Sequence, residues 1–512
     1  MANVSFRRAL VSVSNKSNLV EFIKPLVQQG LEVVSTGGTA KMLSEAGIPV
    51  TLVSEQTGFP EVMDGRVKTL HPKIHMGLLA RSYVEEDYKT LSEFELEPFD
   101  LVIGNLYPFE EAVFKGVQGQ DLVEYIDIGG PSFLRAAAKS FERLTTVVDP
   151  EDYVGVLEGQ FEGLEGRKNL AAKVFAHTAS YDSLIAEKLL SKESHSPKQV
   201  SFGGHVVDAL RYGENPQQKA TWYRSVGKSN GLHKAQIIQG KPLSYNNLLD
   251  LDAAVQTLRE FQETPACVSV KHLNPCGVAT GTTVESAVKL SLKADPVSVF
   301  GGIIAMNRAV NKSAAEHLSQ LFLECIVAPD FDAEALTILG AKKNLRLLKW
   351  EDLMQKQEES SLIRSIDGGF LVQTADEVDS WSEQWQVIGE EPDEETRRAL
   401  TLAWRVCAHL KSNAIAIANT AYSLGLGMGQ VNRVDAVEQA IIRMNKHHSS
   451  EENTVLASDA FFPFADSIER ISQAGIRWVI QPGGSMRDDE VITACKELGV
   501  NMVLTGKRHF QH

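Results

Sequence analysis

Residues 8 to 53 constrain the fold more than any other stretch, because strand-like and helix-like patterns alternate there at short range. Ala9 to Val13, Leu31 to Val34 and Val50 to Val53 read as strands, and Leu19 to Gln28 and Thr39 to Ala46 read as helices. Strands alternating with helical patterns of this length imply a parallel sheet covered by helices. The two strand-to-helix junctions are Ser12-Val13-Ser14-Asn15-Lys16-Ser17 and Ser35-Thr36-Gly37-Gly38-Thr39-Ala40-Lys41. Each puts hydroxyls, backbone N–H groups and a lysine at a helix N-terminus, where unpaired amides and the helix dipole favour an anion such as phosphate. Plain N-capping by Ser17 and Thr39 accounts for either junction taken alone. Neither is a Walker loop or a Gly-x-Gly-x-x-Gly fingerprint, so neither ATP nor a dinucleotide is implied.

The next charged segment runs Asp64-Gly65-Arg66-Val67-Lys68-Thr69-Leu70-His71-Pro72-Lys73-Ile74-His75. Its cations suit a polyanionic substrate, and the alternative is a solvated basic loop. His71 and His75 have the spacing of a helical metal pair, but Pro72 discourages a helix there and no nearby Glu completes a ligand set, so no metal is expected. Leu101 to Asn105, continuing into Leu106-Tyr107-Pro108-Phe109, reads as a buried strand ending in a polar turn. Asp127-Ile128-Gly129-Gly130-Pro131-Ser132 then opens a helix. Arg135 and Lys139 share a face of that helix, which would let them join Lys68 and Asp127 in one charged pocket.

Residues 149 to 192 read as helices, and the polar stretch Ser191 to Lys198 is the best boundary, with the break near residue 198. Beyond it, Val268-Ser269-Val270-Lys271-His272-Leu273-Asn274-Pro275-Cys276-Gly277 reads as a buried strand that delivers polar side chains to a sheet edge and is cut off by Asn274-Pro275. Function in open α/β sheets sits at such strand ends. His272 exchanges protons near neutral pH and Lys271 supplies positive charge, although a surface Lys-His pair at a loop entry would look the same. Arg211 beside Tyr212 suits a phosphate and a flat base, or simply an exposed turn. Two strand endings, Cys325 to Pro329 and Val479 to Pro482, are each followed by an acidic helix start, at Glu334 and Asp488, and hint at an internal duplication. Phe461, Phe462 and Phe464 form either core or a flat-ligand pocket beside Asp466. The acidic segments Trp350 to Ser361 and Trp381 to Glu395 read as surface excursions.

At 512 residues the chain is too long for one core and calls for several domains. A formal net charge of -15 argues against general nucleic-acid binding, while leaving room for a local basic pocket. The five cysteines are scattered, without a Cys-x-x-Cys pair, so a disulfide framework is not expected. The first residues lack the apolar run of a signal peptide and no later run is long enough to span a bilayer, so a reduced cytoplasm is the expected home.

Lys-His-x-Asn-Pro-Cys-Gly resembles the catalytic stretch of the bifunctional purine biosynthesis family, which joins phosphoribosylaminoimidazolecarboxamide (AICAR) formyltransferase to IMP cyclohydrolase. Ser-Thr-Gly-Gly-Thr-Ala-Lys, Gly-Arg-Val-Lys-Thr-Leu-His-Pro, Asn-Leu-Tyr-Pro-Phe and Ile-Asp-Ile-Gly-Gly-Pro are similar to its cyclohydrolase domain, and the likeness runs from about Ser12 to His512. It implies an α/β protein with a methylglyoxal synthase-like parallel-sheet core at about 1–147 within a cyclohydrolase domain, 1–198. A transferase domain with a duplicated, cytidine deaminase-like α/β fold follows at 199–512.

The resemblance implies that Ser14, Lys16, Ser35, Gly38 and Thr39 hold the nucleotide phosphate, and that Arg66, Lys68, Tyr107, Asp127 and Lys139 surround the base during closure. It implies that His272 takes the proton of the AICAR amine as it attacks 10-formyltetrahydrofolate, while Lys271 assists the departing folate. Arg211, Tyr212, Asn247, Phe300, Gly301, Glu324, Lys343, Asn413, Arg433, Asp466, Arg508, Phe510 and His512 match positions near substrate and folate. Many members have His where this chain has Gln217, and smaller residues where it has Met428 and Asp435. Pro275-Cys276-Gly277-Val278-Ala279 lacks the second cysteine of the zinc deaminases, so catalysis is expected to fall to side chains, with no metal. A homodimer acting on AICAR, formyl-AICAR and IMP is expected, with no nucleic acid or membrane partner. A zinc-dependent deaminase-like hydrolase and a phosphometabolite-binding protein are the two alternatives.

Overall fold

The computed structural model describes residues 4–63, 66–190, 197–356, 361–448 and 451–512. Asp64, Gly65 and most of the proposed boundary, residues 191–196, lie outside the described residues. The chain divides into two compact units, one of Met1–His205 with Tyr223–Ser229 and one of Val206–Trp222 with Asn230–His512.

In the first unit β1 (Arg8–Ser12), β2 (Glu32–Ser35), β3 (Thr51–Leu52), β4 (Leu101–Gly104) and β5 (Thr145–Val147) form one sheet in the order β3-β2-β1-β4-β5, with every pairing parallel. The middle strands are apolar through their centres because helices cover both faces: Leu10, Val34 and Val102 pack on one side, and Ala9, Val11 and Ile103 on the other. Strand order reverses between β1 and β4, and a ligand crevice opens beyond the carboxyl ends of the strands at such a switch point. A ribbon of β6 (Gly204–Leu210) and β7 (Ala220–Ser225) follows.

The second unit carries the same strand plan twice. Its first sheet contains β8 (Gln236–Gln239), β9 (Ala266–Lys271), β10 (Asn274–Thr280), β11 (Ile303–Met306), β12 (Cys325–Ala328) and β13 (Arg346–Lys349), in the order β10-β9-β11-β12-β13-β8. An exposed ribbon of β14 (Ser361–Ile366) and β15 (Gly369–Thr374) separates it from the second sheet. That sheet contains β16 (Gln386–Ile388), β17 (Ile415–Ala418), β18 (Ser423–Gly427), β19 (Val455–Ser458), β20 (Trp478–Gln481) and β21 (Asn501–Leu504), in the order β18-β17-β19-β20-β21-β16. In both sheets a hairpin pairs antiparallel with the third strand, and the next two strands continue parallel. The strand endings that hinted at a duplication are β12 and β20, which occupy equivalent places. Helices Tyr245–Leu258 and Glu394–Cys407 also correspond: Leu251, Ala254, Val255 and Leu258 in one, and Leu400, Ala403, Trp404 and Cys407 in the other, enter one shared core.

The sequence reading of Asn274-Pro275 as a strand breaker needs correction. The chain reverses at His272-Leu273, and Asn274–Thr280 is itself a strand. β10 is the edge strand of its sheet and bulges between Pro275 and Gly277, which is where a strand tolerates proline. Phe462 is fully buried while Phe461 and Phe464 are exposed, Phe464 under the Arg487 guanidinium at 4.8 Å, so the three aromatics form no single cluster.

Candidate active sites

The first site lies at the switch point of the five-stranded sheet. Thr39, expected as a cap, instead bonds Val13 in both directions: Val13 N–H donates to Thr39 Oγ1 (3.2 Å) and Thr39 Oγ1 donates to the Val13 carbonyl (3.1 Å). Ser35 Oγ donates to the Val11 carbonyl (2.6 Å), tying the two junctions together. Thr36 opens helix Gly37–Glu45 without a side-chain cap, so the first N–H groups of that helix remain open to an anion. Two ammonium groups reach this point: a Cβ placed on Gly37 would lie 2.9 Å from Lys68 Nζ, and one on Gly38 would lie 3.8 Å from Lys16 Nζ. Gly37 also has φ +48°, so a side chain there is strained as well as obstructive.

The first junction works differently from the sequence reading. The N–H groups of Ser14 and Asn15 both donate to Asn105 Oδ1 (2.7 and 2.8 Å), and Asn105 Nδ2 donates to the Asn15 carbonyl (3.0 Å). These amides are occupied, and what this loop offers the anion is Lys16. Asn105, at the end of β4, was read only as part of a polar turn. Its role depends on β1 and β4 being neighbours, which no local pattern reveals.

Lys68, Tyr107 and Asp127 form the adjoining group. Asp127 Oδ1 accepts from Gly130 N–H (2.8 Å) at the start of helix Gly129–Lys139, and Asp127 N–H donates to the Tyr181 hydroxyl (2.7 Å). Burial pushes the Asp127 carboxyl above its usual range, while the N–H groups of Gly130 and Tyr107 and the charge of Lys68 oppose the shift. Burial, and then the charges of Asp127 and Glu61, raise the Tyr107 phenol. Arg66 pairs with Glu124, and His71 Nδ1 accepts from Lys73 N–H (3.2 Å), which makes His71 a helix cap. Lys139 does not join Asp127: it ends the helix that Asp127 begins, about 15 Å away along the axis at 1.5 Å per residue. Arg135 is not part of such a pocket either, its guanidinium lying over the Phe175 ring at 5.1 Å.

The second site is built on the β9–β10 hairpin. Lys271 and Asn274 pair across it, and the two residues between them, His272 and Leu273, have φ +53° and +65°. Positive φ at both central residues is the signature of a type I′ turn, in which Asn and Gly are the favoured residues. For His and Leu it costs on the order of 1–3 kcal/mol each, and strain of this kind gathers at functional sites. Leu273 N–H donates to Asp250 Oδ1 (2.7 Å), Asn274 Nδ2 donates to the His272 carbonyl (3.0 Å), and Lys271 Nζ donates to the Phe300 carbonyl (2.8 Å).

A chain of contacts runs outward from this turn. Asn274 Oδ1 accepts from Lys411 N–H (3.1 Å), and Lys411 Nζ reaches the His512 carbonyl (3.0 Å). Ser412 and Gln511 exchange hydrogen bonds, which brings in the C-terminal residues, with the Arg508 guanidinium over the Phe510 ring at 4.6 Å. Asn413 Oδ1 accepts from Arg433 (2.8 Å), and Arg433 is ion-paired with Asp459, a fully buried carboxylate that also accepts from Ala414 N–H (3.1 Å). Gly301 follows Phe300, and Glu324, whose N–H donates to the Gly302 carbonyl, is paired with Arg346 at 2.9 Å. Phe300, Gly301, Glu324 and Arg346 stand at the amino ends of β11 to β13, because β9 runs against them.

Asn247 is buried in a capping box with Ser244, at the start of the helix that carries Asp250. Arg211 stacks on Tyr212 at 4.7 Å, in a turn tied to that helix by Asn246 Nδ2 donating to the Glu214 carbonyl (3.3 Å). Lys343 and Asp466 are exposed, and among the described residues neither hydrogen-bonds to this network. The sequence reading missed Asp250 and the pairing role of Asp459. No local signal singled out Asp250, because its helix also carries Asp252 and several amides and its partner lies 23 residues away.

Among the described residues no group of three or more His, Cys, Asp or Glu is placed to hold a metal ion. Cys276 is buried, its thiol pushed up to about 12 by desolvation.

Residues 137–443, more than half of the chain, match the family model described as AICARFT/IMPCHase bienzyme, and residues 18–132 match the MGS-like domain. The chain belongs to the AICARFT/IMPCHase bienzyme family. It is 48% identical over 521 residues to the bifunctional purine biosynthesis protein PurH of Desulfitobacterium hafniense (strain DSM 10664 / DCB-2), covering 99% of this chain and 100% of that one. It is 49% identical over 514 residues to the PurH of Halalkalibacterium halodurans, with the same coverage. The solved structure titled "Crystal structure of ForH" matches 36% of this chain and 100% of its own at 33% identity; its TM-score of 0.32 adds nothing on the fold. As a member of this family the chain is a bifunctional enzyme of purine biosynthesis, an AICAR formyltransferase and IMP cyclohydrolase.

Proposed function

We propose that formyl transfer is carried by residues 199–512 at the His272 turn, and ring closure by residues 1–198 at the sheet switch point. The observation that carries this reading is the strained turn: it holds the one side chain suited to proton transfer near neutral pH beside a lysine anchored at 2.8 Å to the Phe300 carbonyl. In the transferase, Arg211, Tyr212, Asn247, Glu324, Lys343, Arg508, Phe510 and His512 hold AICAR, while Phe300, Gly301, Asn413, Arg433 and Asp466 line the folate side. His272 takes a proton from the 5-amino group as its nitrogen attacks the formyl carbon of 10-formyltetrahydrofolate. Lys271 stabilises the tetrahedral intermediate and the departing N10, which leaves protonated as tetrahydrofolate.

In the cyclohydrolase, the open amides of helix Gly37–Glu45 and the Lys16 ammonium take the phosphate, Gly38 leaves it room, and Ser14, Ser35 and Thr39 hold the two junctions in place. Lys68, close to Gly37, bridges from the phosphate to the base beside Arg66, Tyr107 and Asp127. The carboxamide nitrogen attacks the formyl carbon, and the resulting carbinolamine loses its hydroxyl as water. Asp127, held by the Gly130 N–H, orients the attacking amide, and Lys68 supports the developing oxyanion. Because Lys139 stands a helix length from Asp127, it serves closure only from a second copy of the chain, which supports a homodimer. Exposed apolar side chains on the β14–β15 ribbon, Leu362, Ile363, Ile366, Phe370, Leu371 and Val372, support the same assembly. Among the described residues no helix is long and apolar enough to cross a membrane.

A coupled assay tests the reading, with purified protein, AICAR and 10-formyltetrahydrofolate while tetrahydrofolate and IMP are followed separately. The wild type makes both; His272→Ala releases no tetrahydrofolate yet closes supplied formyl-AICAR, and Asp127→Asn does the reverse. Formyl transfer surviving in His272→Ala at near the wild-type rate would overturn the assignment of the turn.

A further inference from the structure

We infer that Asp250 is the positioning residue of the formyl-transfer site, bracing the His272-Leu273 turn so that the His272 imidazole faces substrate. This rests on the assignment of His272 above. Three observations carry it. First, the Asp250 carboxylate lies beneath the turn: Oδ1 accepts from Leu273 N–H at 2.7 Å, and the His272 amide is close enough to favour its charged form. One side chain therefore holds the turn at Leu273, the second of the two residues that adopt a left-handed backbone.

Secondly, the brace comes from outside the turn. Beyond the Lys271–Asn274 pairing, the side-chain bond that the hairpin itself supplies among the described residues is Asn274 Nδ2 to the His272 carbonyl, and Asn274 is also committed to Lys411 N–H. Neither His272 nor Leu273 is glycine or asparagine, so the conformation is not one that these side chains favour on their own.

Thirdly, the duplicated fold contains its own control. The buried pattern Leu251, Ala254, Val255, Leu258 returns as Leu400, Ala403, Trp404, Cys407, which puts Ala399 where the first repeat has Asp250. Ala399 is fully buried and has no acceptor to offer. The hairpin above it turns through Asn419 to Tyr422, none of them at positive φ, and Asn419 Oδ1 accepts from the N–H groups of both Ala421 and Tyr422 (2.9 Å each). The architecture therefore forms this hairpin without a carboxylate from the helix. The carboxylate is present only beneath the turn that carries the proton-transferring side chain, at the cost of placing a charged, half-buried group in a helix interior, where burial raises its carboxyl.

The test compares steady-state formyl transfer in full-length wild type, Asp250→Asn, Asp250→Ala, Leu273→Gly, Asp250→Ala/Leu273→Gly and His272→Ala, with thermal melting of each. A misplaced reacting group costs about 10²-fold, so kcat in Asp250→Ala falls by about that factor while KM for AICAR stays within about twofold. Asp250→Asn, which keeps one acceptor oxygen, recovers part of the rate. Glycine adopts positive φ without help, so Leu273→Gly makes the brace partly dispensable, and the double variant is at least about threefold faster than Asp250→Ala. A kcat in Asp250→Ala within about twofold of wild type overturns the inference, as does a loss that tracks only the melting temperature and is no smaller in Asp250→Asn or the double variant. If His272→Ala itself transfers formyl groups normally, the underlying assignment of the turn is what fails.

Discussion

The two repeats of the second unit share a strand order and a core but differ at their hairpins. In the first, two residues make the turn, both at positive φ, and the bracing acceptor comes from a neighbouring helix. In the second, the turn is longer, relaxed, and braced by its own Asn419. A second difference lies at the opposite ends of the hairpins. Asn307, after β11, accepts from Ala266 N–H (2.8 Å) and donates to the carbonyls of Phe261 and Thr264 (2.6 and 2.8 Å). Asp459, after β19, accepts from Ala414 N–H in the same way, but it carries a charge and pairs with Arg433. A neutral amide suffices for the architecture. The charged versions appear where the hairpin of repeat one and the Lys411–Asn413 segment of repeat two join in one network, through Asn274 and Lys411. Duplication supplies the scaffold, and the proposed transferase site uses one hairpin of one copy and one strand end of the other.

Exchange of the two hairpin side chains gives the largest contrast. His272→Ala should slow formyl transfer by about 10²- to 10⁴-fold, the range of a lost general base. Asn419→Ala, assayed identically, should leave the rate within about twofold; a comparable loss there would erase the distinction between the hairpins.

The strand-end pair comes next and is read by urea unfolding. Asp459→Asn leaves Arg433 buried without its counter-charge and should cost about 3–5 kcal/mol. Asn307→Ala strands one N–H and two carbonyls without a charge and should cost about 1–3 kcal/mol. Equal losses would mean that the Arg433–Asp459 pair is no more than the amide it replaces.

The smallest effect is a pH dependence. Burial raises the Asp250 carboxyl, so the folded state binds its proton more readily than the unfolded chain does. The stability of the wild type relative to Asp250→Asn should therefore be greatest below the ordinary carboxyl range, fall as pH rises from there through the raised value, and level off beyond it. Asn419 has no proton to exchange, so wild type and Asn419→Ala should keep a constant difference across the same range.

Much of this protein was legible from local pattern. Residues 8 to 53 alternate strand and helix because each element buries an apolar face, and the parallel sheet follows from that periodicity. The glycines of the second junction pointed to a helix N-terminus with open amides, and helix Gly37–Glu45 begins there without a side-chain cap. The Lys-His-x-Asn-Pro-Cys-Gly stretch pointed to the family to which the chain belongs. Where reading failed, it failed on partners distant in sequence. Thr39 looked like a cap and is a strut to Val13; Asn274-Pro275 looked like a stop and begins an edge strand; Lys139 shares a helix with the Asp127 site yet lies at its far end.

The sequence alone determined the alternation of strand and helix in the first unit and the identities of the residues that can carry charge and protons, because these depend on side-chain chemistry and on neighbours within a few positions. The tertiary structure decided which groups are consumed and which remain free: the Ser14 and Asn15 amides taken by Asn105, the Leu273 amide taken by Asp250, and the Arg433 charge taken by Asp459. Each depends on strands and helices separated by tens of residues coming into contact, and a hydrogen bond of that range leaves no periodic trace in the chain.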